Sequence, residues 1–348
     1  MPSPATDPYL SFVIAARNDN YAGGMLRRLQ VCIDTFLHQA ETFELPSELI
    51  LVDWNSPPDA GLGDAVQWPT SNRWCSVRVI TVPPAVHATQ RFGDRLPILI
   101  HRARNVGIRR ARGQFVLPTS ADILCSDELI ETIAARQLQA CALYRIARHD
   151  VPFATLDIDS HDVRLQFCRD HVQVVHERRG SYIVAGVPAL FTNGAGDFTL
   201  LSRQLYGRLR GVPEEREYHS MHWDSIFCFM AYAACGKEIV FNEPCRIYHV
   251  DHGTPSWRAS PRFIERVAAR LPIGARRAKR LAKKIRAQWP PRSSMDERGV
   301  PYLNLKKASD RTEFETLVRR IVDASGSFVY NDVNWGLGDH DLSERTIS

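Results

Sequence analysis

The chain has 348 residues, of which 44% are hydrophobic and 24% are charged. These proportions exclude a disordered or fibrous protein and allow one large core or two smaller ones. The formal net charge is +5, and the eight cysteines form neither a C-x-x-C pair nor a zinc-like spacing with histidine. No apolar segment reaches the about 20 residues that cross a bilayer, so we expect a soluble, cytoplasmic protein with reduced thiols.

The chain begins with a predicted strand and an amphipathic helix. Residues 9–16 are apolar and end in the polar loop 17–20, which is typical of a buried strand. From residue 24 to 40, apolar residues recur at three- and four-residue spacing, and this stripe leaves Arg28 on the opposite side. The pattern predicts a helix that packs through one face.

A second buried strand, residues 48–54, follows this helix and carries Asp53 near its end. The order strand, helix, strand predicts a βαβ unit, in which both parallel strands end at the same edge of the sheet. We therefore expect the loops 17–20 and 53–59 to be neighbours.

The third strand is predicted at residues 77–82 and the next helix, rich in arginine, at 96–112. Residues 114–117 then predict a short buried strand, which opens into a polar segment that contains Asp122. Ligands of open α/β sheets bind at such strand ends, so Asp122 is a candidate for holding a metal or a charged substrate. The alternative is that Asp122 only begins a turn.

The middle of the chain is less regular, and its predicted elements are best given in order. They are a helix capped by Ser126, a strand at 143–148, extended segments at 172–175 and 182–187, a glycine-rich turn at 193–198, a helix from 203, an apolar helix after His222-Trp223-Asp224, and a strand-like run at 246–253.

The composition changes after Pro255. Residues 258–292 are rich in Arg and Lys, have almost no acids and carry an apolar stripe, which predicts a basic amphipathic helical region. Two interpretations stand: a solvated face of an ordinary helix, or contact with an anionic membrane surface or acceptor. We predict two domains, 1–255 and 256–348, the second being a helical extension and tail with one further helix at 312–324.

Acidic residues and histidines mark the predicted loops at one edge of the sheet. Carboxylates with a histidine suit a divalent cation such as Mg²⁺ or Mn²⁺, and such ions usually bridge to substrate phosphates. A nucleoside diphosphate is the natural ligand, and the guanidinium of Arg104 would add charge for its phosphates. The acids are Asp53, Asp122, Asp197 and Asp224, and the histidines are His249 and His252.

Several motifs together resemble one family. They are the strand that runs into Ala15-Ala16-Arg17-Asn18, the segment Leu51-Val52-Asp53-Trp54-Asn55-Ser56, Ala103-Arg104-Asn105-x-Gly107 with Ala111 and Gly113, and Ser120-Ala121-Asp122. This series spans about residues 9–253 and looks like the nucleotide-sugar domain of GT-A glycosyltransferases, particularly the family 2-like group. The resemblance implies an α/β fold of the GT-A, Rossmann-like type, with a mostly parallel sheet flanked by helices and a C-terminal helical extension.

The resemblance also implies a donor site. Asp53 would accept hydrogen bonds from the nucleotide base, and Arg104 and Asn105 would lie near the diphosphate. Asp122 would be the last acid of the metal-binding D-x-D motif, with Mn²⁺ or Mg²⁺ as the cofactor, whereas Ser120 stands where the first acid is usual. The full set implied for the nucleotide is Ala15, Arg17, Asn18, Asp53, Arg104, Asn105, Ser120 and Ala121.

On the acceptor side, the segment 194–198 is similar to the turn that precedes the family's catalytic acid. The resemblance implies that Asp224 is the general base, that Asp197 belongs to the catalytic pair, and that the reaction inverts the anomeric centre. The run from His249 to His252 resembles the segment that supplies a histidine to the metal, and we prefer His252 over His249.

The implied reaction transfers a sugar from a nucleotide-diphosphate donor, with a UDP-sugar favoured, to a saccharide or lipid-linked acceptor. Such an enzyme would serve surface polysaccharide or glycoconjugate synthesis. It would act in the cytoplasm, with peripheral contact at the inner membrane face as an open option through the basic helices. The sequence does not predict the oligomeric state.

Other classes of protein remain as alternatives. A sugar nucleotidyltransferase shares the sheet, but Arg17-Asn18-Asp19 replaces its glycine-rich loop. A dinucleotide-dependent oxidoreductase needs G-x-G-x-x-G, which Gly23-Gly24 does not supply. A non-catalytic protein that binds nucleic acid or an anionic surface would use 258–292, but no recognition motif accompanies that charge. We therefore expect an enzyme without a nucleic-acid partner.

Overall fold

The computed structural model describes residues 7–69, 72–216, 218, 222–252, 296 and 298–347. Its strands are β1 Leu10–Ala16, β2 Ser47–Trp54, β3 Cys75–Val82, β4 Phe115–Thr119, β5 Ile123–Cys125, β6 Leu143–Ile146, β7 Arg148–Val151, β8 Val174–His176, β9 Leu201–Ser202, β10 Glu238–Phe241, β11 Ile247–Val250 and β12 Ser343–Ile347. Its α-helices are α1 Met25–Thr42, α2 Leu62–Ala65, α3 Pro84–Ala88, α4 Ile100–Arg110, α5 Asp127–Ala134, α6 His161–Asp170, α7 Arg203–Leu209, α8 Trp223–Cys235 and α9 Ala308–Asp323.

A six-stranded sheet in the order β12-β3-β2-β1-β4-β9 organises the molecule. The four central strands are parallel, and the two outermost strands are antiparallel to their neighbours. The strand order reverses between β1 and β4, so the loops that follow these two strands diverge and leave a crevice where ligands of doubly wound sheets bind. The predicted α/β class with a mostly parallel sheet flanked by helices is confirmed.

Two apolar clusters cover the two faces of this sheet, because neighbouring residues of a strand point to opposite faces. On one face, Phe12 stacks on Phe36 of α1 with the ring centroids 4.1 Å apart. On the other face, Val13 packs towards α4, where a Cβ atom on Gly107 would lie only 2.4 Å from a Val13 methyl group. A glycine at this point therefore permits α4 to lie close against the sheet.

Two smaller sheets extend the fold, β10-β6 and β5-β11-β7-β8. Strand β11 pairs antiparallel with β5, and this register sets His249 opposite Ile123. The backbone N–H of Val250 also donates to the carbonyl oxygen of Asp122 at 2.9 Å. The late strand β11 is thereby held against the segment that follows β4.

Several predicted elements differ from the structure. The strand predicted at 143–148 is divided into β6 and β7, and the segment 182–187, predicted as extended, forms no strand. Arg28 is buried at 2% exposure rather than solvated, because its guanidinium donates to two backbone carbonyl oxygens of the preceding loop. Helix α6 and the strands β5, β10 and β12 are present without having been predicted.

The described part of the C-terminal segment packs on the rest of the fold. Val300, Leu303 and Trp335 belong to the same apolar cluster as α4 and α8, and β12 pairs with β3. The basic region 258–292 and the predicted domain boundary at residue 255 lie outside the described residues and stay predictions. Among the described helices, none combines the length and the apolar character needed to cross a membrane.

A buried ion pair joins the amino ends of the strands. The carboxylate of Glu48, on β2, accepts hydrogen bonds from Arg78 Nε at 3.0 Å and Nη2 at 2.7 Å. The same carboxylate accepts from the Ser11 hydroxyl and from the backbone N–H of Arg112, and Arg78 also donates to Glu344 on β12. Both members of the pair are almost fully buried, so the two charges depend on each other.

We expect Arg78→Met to destabilise the protein by about 3–5 kcal/mol, because it leaves the Glu48 carboxylate buried without its cation. Urea unfolding followed by circular dichroism measures this loss. Arg345→Met is the matched control on β12: its partner Asp64 is largely exposed, so the cost should stay within about 1 kcal/mol. Equal losses in the two variants would contradict the assigned role of the buried pair.

Candidate active site

Side chains join the loops that follow β1 and β2. Arg17 Nε donates to the carbonyl oxygen of Asn55 at 2.7 Å, and the backbone N–H of Asn18 donates to Ser56 Oγ at 2.9 Å. The Asn18 amide also donates to the Ala60 carbonyl oxygen. The predicted proximity of loops 17–20 and 53–59 is therefore confirmed.

Asp53 organises the second of these loops. One carboxylate oxygen accepts from the Ser56 hydroxyl, and the other accepts from the backbone N–H of Leu62 at 2.8 Å. Burial raises the pKa of Asp53, against the effect of these two hydrogen bonds. Its contact with a nucleotide base stays a prediction, as does that of Ala15, which lies buried near the end of the adjacent strand β1.

A line of polar contacts joins three segments that are distant in sequence. Arg104 Nη2 on α4 donates to Ser120 Oγ at 3.0 Å, and that hydroxyl donates to Asp197 Oδ1 at 2.8 Å. Arg104 Nη1 lies 3.5 Å from Asp224 Oδ1. The structure thus brings together four residues of the predicted site: Arg104, Ser120, Asp197 and Asp224.

Asp122 forms the other end of the cluster with both predicted histidines. Its Oδ2 atom lies 3.1 Å from His252 Nε2, 3.8 Å from His249 Nε2 and 3.9 Å from Arg28 Nε. Burial raises the pKa of Asp122, but the hydrogen bond from His252 and the charges of His249 and Arg28 lower it below its usual value. The carboxylate is therefore ionised at neutral pH.

Two residues of β7 connect Asp122 with Asp197, and sequence reasoning missed both. Arg148 Nη1 donates to Asp197 Oδ2 at 2.7 Å, and Arg148 Nε lies 3.0 Å from Asp150 Oδ1. The same carboxylate oxygen of Asp150 lies 3.3 Å from His249 Nδ1. The alternation of Arg148 and Asp150 beside the apolar Val151 is the signal that could have revealed this polar strand face.

The Asp122 corner has donors that fit a divalent cation. Asp122, His249 and His252 each offer one ligand atom, and these atoms lie within 4.8 Å of one another. Asp122 Oδ1 is buried and has no hydrogen-bond partner among the described residues, which costs free energy unless a ligand engages it. A carboxylate with two imidazoles suits Mn²⁺ better than Mg²⁺, because imidazole is a ligand for transition metals.

A second group of similar composition contains Asp127, His161 and Asp162. Its carboxylate is already engaged, since Asp127 Oδ1 lies 2.9 Å from His161 Nε2 and accepts from Gln39 Nε2 at 2.8 Å. Asp162 is exposed. These contacts account for the group as an ion pair between helices, so it is a useful control for the first group.

Asn105 is not brought to the cluster. Its amide nitrogen donates to the Val212 carbonyl oxygen at 2.8 Å and to Glu214 Oε1 at 3.0 Å, and its amide oxygen accepts from the Val212 N–H. The side chain is therefore committed to holding the loop after α7 against α4. Ala121 lies between Ser120 and Asp122, half-buried against the first apolar cluster.

The two groups next to Asp224 are cationic. His101 Nε2 and Arg104 Nη1 each lie 3.5 Å from Asp224 Oδ1. Burial raises the pKa of Asp224, but the charge and hydrogen bond of His101 and the charge of Arg104 hold it well below its usual range. Sequence reasoning missed His101, because a histidine within the arginine-rich segment gives no indication of its partner.

We expect Asp122→Asn to weaken Mn²⁺ binding by roughly 10-fold or more, since it removes the charge at the centre of the three donors. Electron paramagnetic resonance of free Mn²⁺ measures the binding directly, without any assay of activity. Asp127→Asn is the matched control, because it removes a carboxylate from the other Asp–His group. Unchanged binding in Asp122→Asn, or an equal loss in the control, would refute this assignment.

Comparisons with known proteins give structural similarity only. No protein-family model matches the sequence, and no curated protein matches it. Among solved structures, S. aureus TarS 1–349 is 13% identical with a TM-score of 0.43, over 78% of this chain and 69% of that chain. Its complex with UDP-GlcNAc is 14% identical with a TM-score of 0.44, over 79% of this chain and 70% of that chain. The mannosyltransferase PcManGT from Pyrobaculum calidifontis, in complex with GDP-Man and Mn²⁺, is 15% identical with a TM-score of 0.43. The match covers 97% of this chain and 74% of that chain. Similarity at this level does not carry a function from one protein to another.

Proposed function

We propose that the chain is a glycosyltransferase of the GT-A type, similar to family 2, that moves a sugar from a nucleotide-diphosphate donor to an acceptor hydroxyl. A UDP-sugar is the favoured donor, and inversion at the anomeric carbon is the favoured outcome. One observation carries the proposal. A continuous line of polar contacts runs from the carboxylate of Asp224, past Ser120 in the segment that follows β4, to the Asp122 corner.

The two ends of this line suit the two halves of a group transfer. Asp122, with His249 and His252, offers donors for a cation, which suits the diphosphate that leaves. Asp224 offers an ionised carboxylate, which suits the hydroxyl that attacks. Such a division requires an anion-binding end and a basic end on either side of the anomeric carbon.

The charge of the cluster favours a metal-dependent reaction. Four carboxylates face three guanidiniums, which leaves one net negative charge when His249 and His252 are neutral, as metal ligands must be. The imidazolium of His101 and the carboxylate of Glu215, which lie behind Asp224, offset each other. A diphosphate would be repelled by this arrangement, whereas a divalent cation reverses the sign of the charge. When bound, Mn²⁺ or Mg²⁺ would supply neutralisation of the leaving phosphate. The carboxylates are Asp122, Asp150, Asp197 and Asp224, and the guanidiniums are Arg28, Arg104 and Arg148.

Asp224 accepts the proton in this proposal. The acceptor oxygen bonds to the anomeric carbon, the bond from that carbon to the phosphate oxygen breaks, and the hydroxyl proton passes to the carboxylate. The lowered pKa of Asp224 keeps it ionised over the whole working range but makes it a weak base. Proton transfer is then favoured late, when the attacking oxygen has already become acidic.

The acceptor and the cellular setting are also part of the proposal. We expect a saccharide or lipid-linked acceptor and action in the cytoplasm, with contact of residues 258–292 with an anionic membrane surface as an open option beside a solvated helix face. The acceptor follows from the family resemblance, the compartment from the cysteine pattern, and the membrane option from the basic region, which lies outside the described residues.

The donor site is tested by isothermal titration of UDP with and without Mn²⁺. We expect tight binding only with the metal, because the uncompensated carboxylates repel the diphosphate. Asp122→Asn should remove most of the effect of the metal. UDP binding that is indifferent to Mn²⁺ in the wild-type protein would contradict the proposed donor site.

The base is tested by Asp224→Asn. We expect donor affinity close to that of the wild-type protein and a loss of transfer of about 100-fold or more, because the amide cannot take up the proton. Transfer is followed by release of UDP from a UDP-sugar in the presence of acceptor. Asp157→Asn, which changes an exposed carboxylate on the surface, is the control. Full turnover in Asp224→Asn would remove this residue from the role.

A further inference from the structure

Behind Asp224 lies a second, fully buried carboxylate, and a histidine stands between them. Glu215 Oε1 lies 3.0 Å from His101 Nδ1, and His101 Nε2 lies 3.5 Å from Asp224 Oδ1. The side chains of His101 and Glu215 are 3% and 1% exposed, whereas Asp224 is 32% exposed. The three groups therefore form a row that leads from the interior to the crevice.

The backbone fixes the inner end of this row. The N–H groups of His101 and Arg102, in the first turn of α4, donate to the two carboxylate oxygens of Glu215 at 2.9 and 3.2 Å. These are N–H groups that a helix cannot satisfy internally. Glu215 is thereby held in one orientation, and through Nδ1 it fixes the ring of His101.

At the outer end, the two oxygens of Asp224 differ. Oδ1 faces His101 and Arg104, whereas Oδ2 faces Gly196 and accepts no hydrogen bond from the residues that the structure describes. A Cβ atom at position 196 would lie 2.8 Å from Oδ2. The glycine keeps the approach to this oxygen open, on the side of the loop that also carries Asp197.

We propose that Glu215 and His101 are positioning residues, which hold Asp224 by Oδ1 and present Oδ2 to the acceptor hydroxyl. This inference rests on the proposed function of Asp224 as the base. His101 acts through Asp224 and does not touch the substrate. A lone carboxylate on α8 could rotate, whereas a carboxylate held through one oxygen by a ring that is itself held cannot do so without breaking the row.

The charge state of the row changes in the alkaline range. Burial lowers the pKa of His101, but Asp224 and Glu215 outweigh this effect and raise the pKa to about 9. The imidazolium is therefore fully present below the ordinary value of 6.5 and is lost as the pH rises through about 9. We expect the alignment of Asp224 to be lost over the same range.

The neighbouring groups titrate outside the range in which His101 loses its charge. The other titratable or charged side chains that act on Asp224 are Arg104, Arg145, Tyr206, His222 and Cys228. Burial raises the pKa of Tyr206 well above its usual value and that of Cys228 to about 11. Burial also lowers the pKa of His222 to about 4, so among these groups and His101, His101 alone changes charge near pH 9.

The first test needs no enzymatic activity. Histidine-selective labelling and NMR would follow the imidazole of His101, whose signal is assigned by its absence in His101→Gln. We expect a titration midpoint near pH 9 in the wild-type protein, and a lower midpoint in both Asp224→Asn and Glu215→Gln. A midpoint near 6.5 in the wild-type protein, or one that Asp224→Asn does not move, would overturn the inference even if sugar transfer is confirmed.

The second test separates positioning from simple structural support. The transfer rate of the wild-type protein should fall above about pH 9, whereas His101→Gln should be slower and lack this alkaline decline. Donor affinity should be unchanged, because neither His101 nor Glu215 contacts the Asp122 corner. His171→Gln, which changes an exposed histidine at the end of α6, should retain the wild-type profile. An alkaline decline that persists in His101→Gln would overturn the inference.

Gly196→Ala tests the open side of Asp224 without altering the buried pair. The added Cβ would crowd Oδ2, so we expect transfer to fall while the NMR midpoint of His101 stays near pH 9. In Glu215→Gln we expect the reverse: the titration midpoint of His101 is lower, whereas Oδ2 of Asp224 stays accessible. Normal transfer in Gly196→Ala would show that Oδ2 is not the oxygen that faces the acceptor. If the protein has no transferase activity, the proposed function is refuted. The NMR titration of His101 then still tests whether Glu215, His101 and Asp224 interact as described.

Discussion

The fold depends on the buried contact between Glu48 and Arg78. This pair lies near the amino ends of β2 and β3, and through Ser11 and the backbone N–H of Arg112 it also fixes β1 and the turn before β4. A one-residue slip of any of these strands would leave a buried charge unpaired, which is strongly unfavourable. The carboxyl ends of the strands are therefore level at the opposite edge, where the candidate active site is built.

The sequence predicted the fold best where the apolar pattern is continuous. The strands β1 to β4 and the helices α1, α4 and α8 are buried on broad faces, so their periodicity is visible. Helix α6 was missed, because only Arg164, Leu165 and Cys168 of its ten residues are buried. The antiparallel strand β12 was missed because most of its residues are exposed and its partner β3 is remote in sequence.

The same limit applies to the site. Acids at strand ends, such as Asp122, were predictable from local patterns, because a polar residue after a buried strand stands out. The link through Ser120 to Asp197 was not predictable, since it joins residues 77 positions apart. Ser120 stands where the similar family usually has an acid. Its hydroxyl accepts from Arg104 and donates to the Asp197 carboxylate. Asn105 hydrogen-bonds to Val212 and Glu214, which are more than 100 positions away, so the sequence could not show these partners. These bonds hold its side chain away from the cluster.

Strand β12 has a consequence for the behaviour of the protein before folding is complete. An uncovered sheet edge offers unpaired N–H and C=O groups to other chains, which is a route to aggregation. The edge of β3 is covered by β12, whose exposed residues include the charged Glu344 and Arg345. Because Arg78 and Glu344 are 266 positions apart, that edge stays open during synthesis until nearly 270 further residues have emerged, about the length of a whole large domain. A chain interrupted before β12 is therefore expected to present a bare apolar strand, which chaperones and proteases recognise.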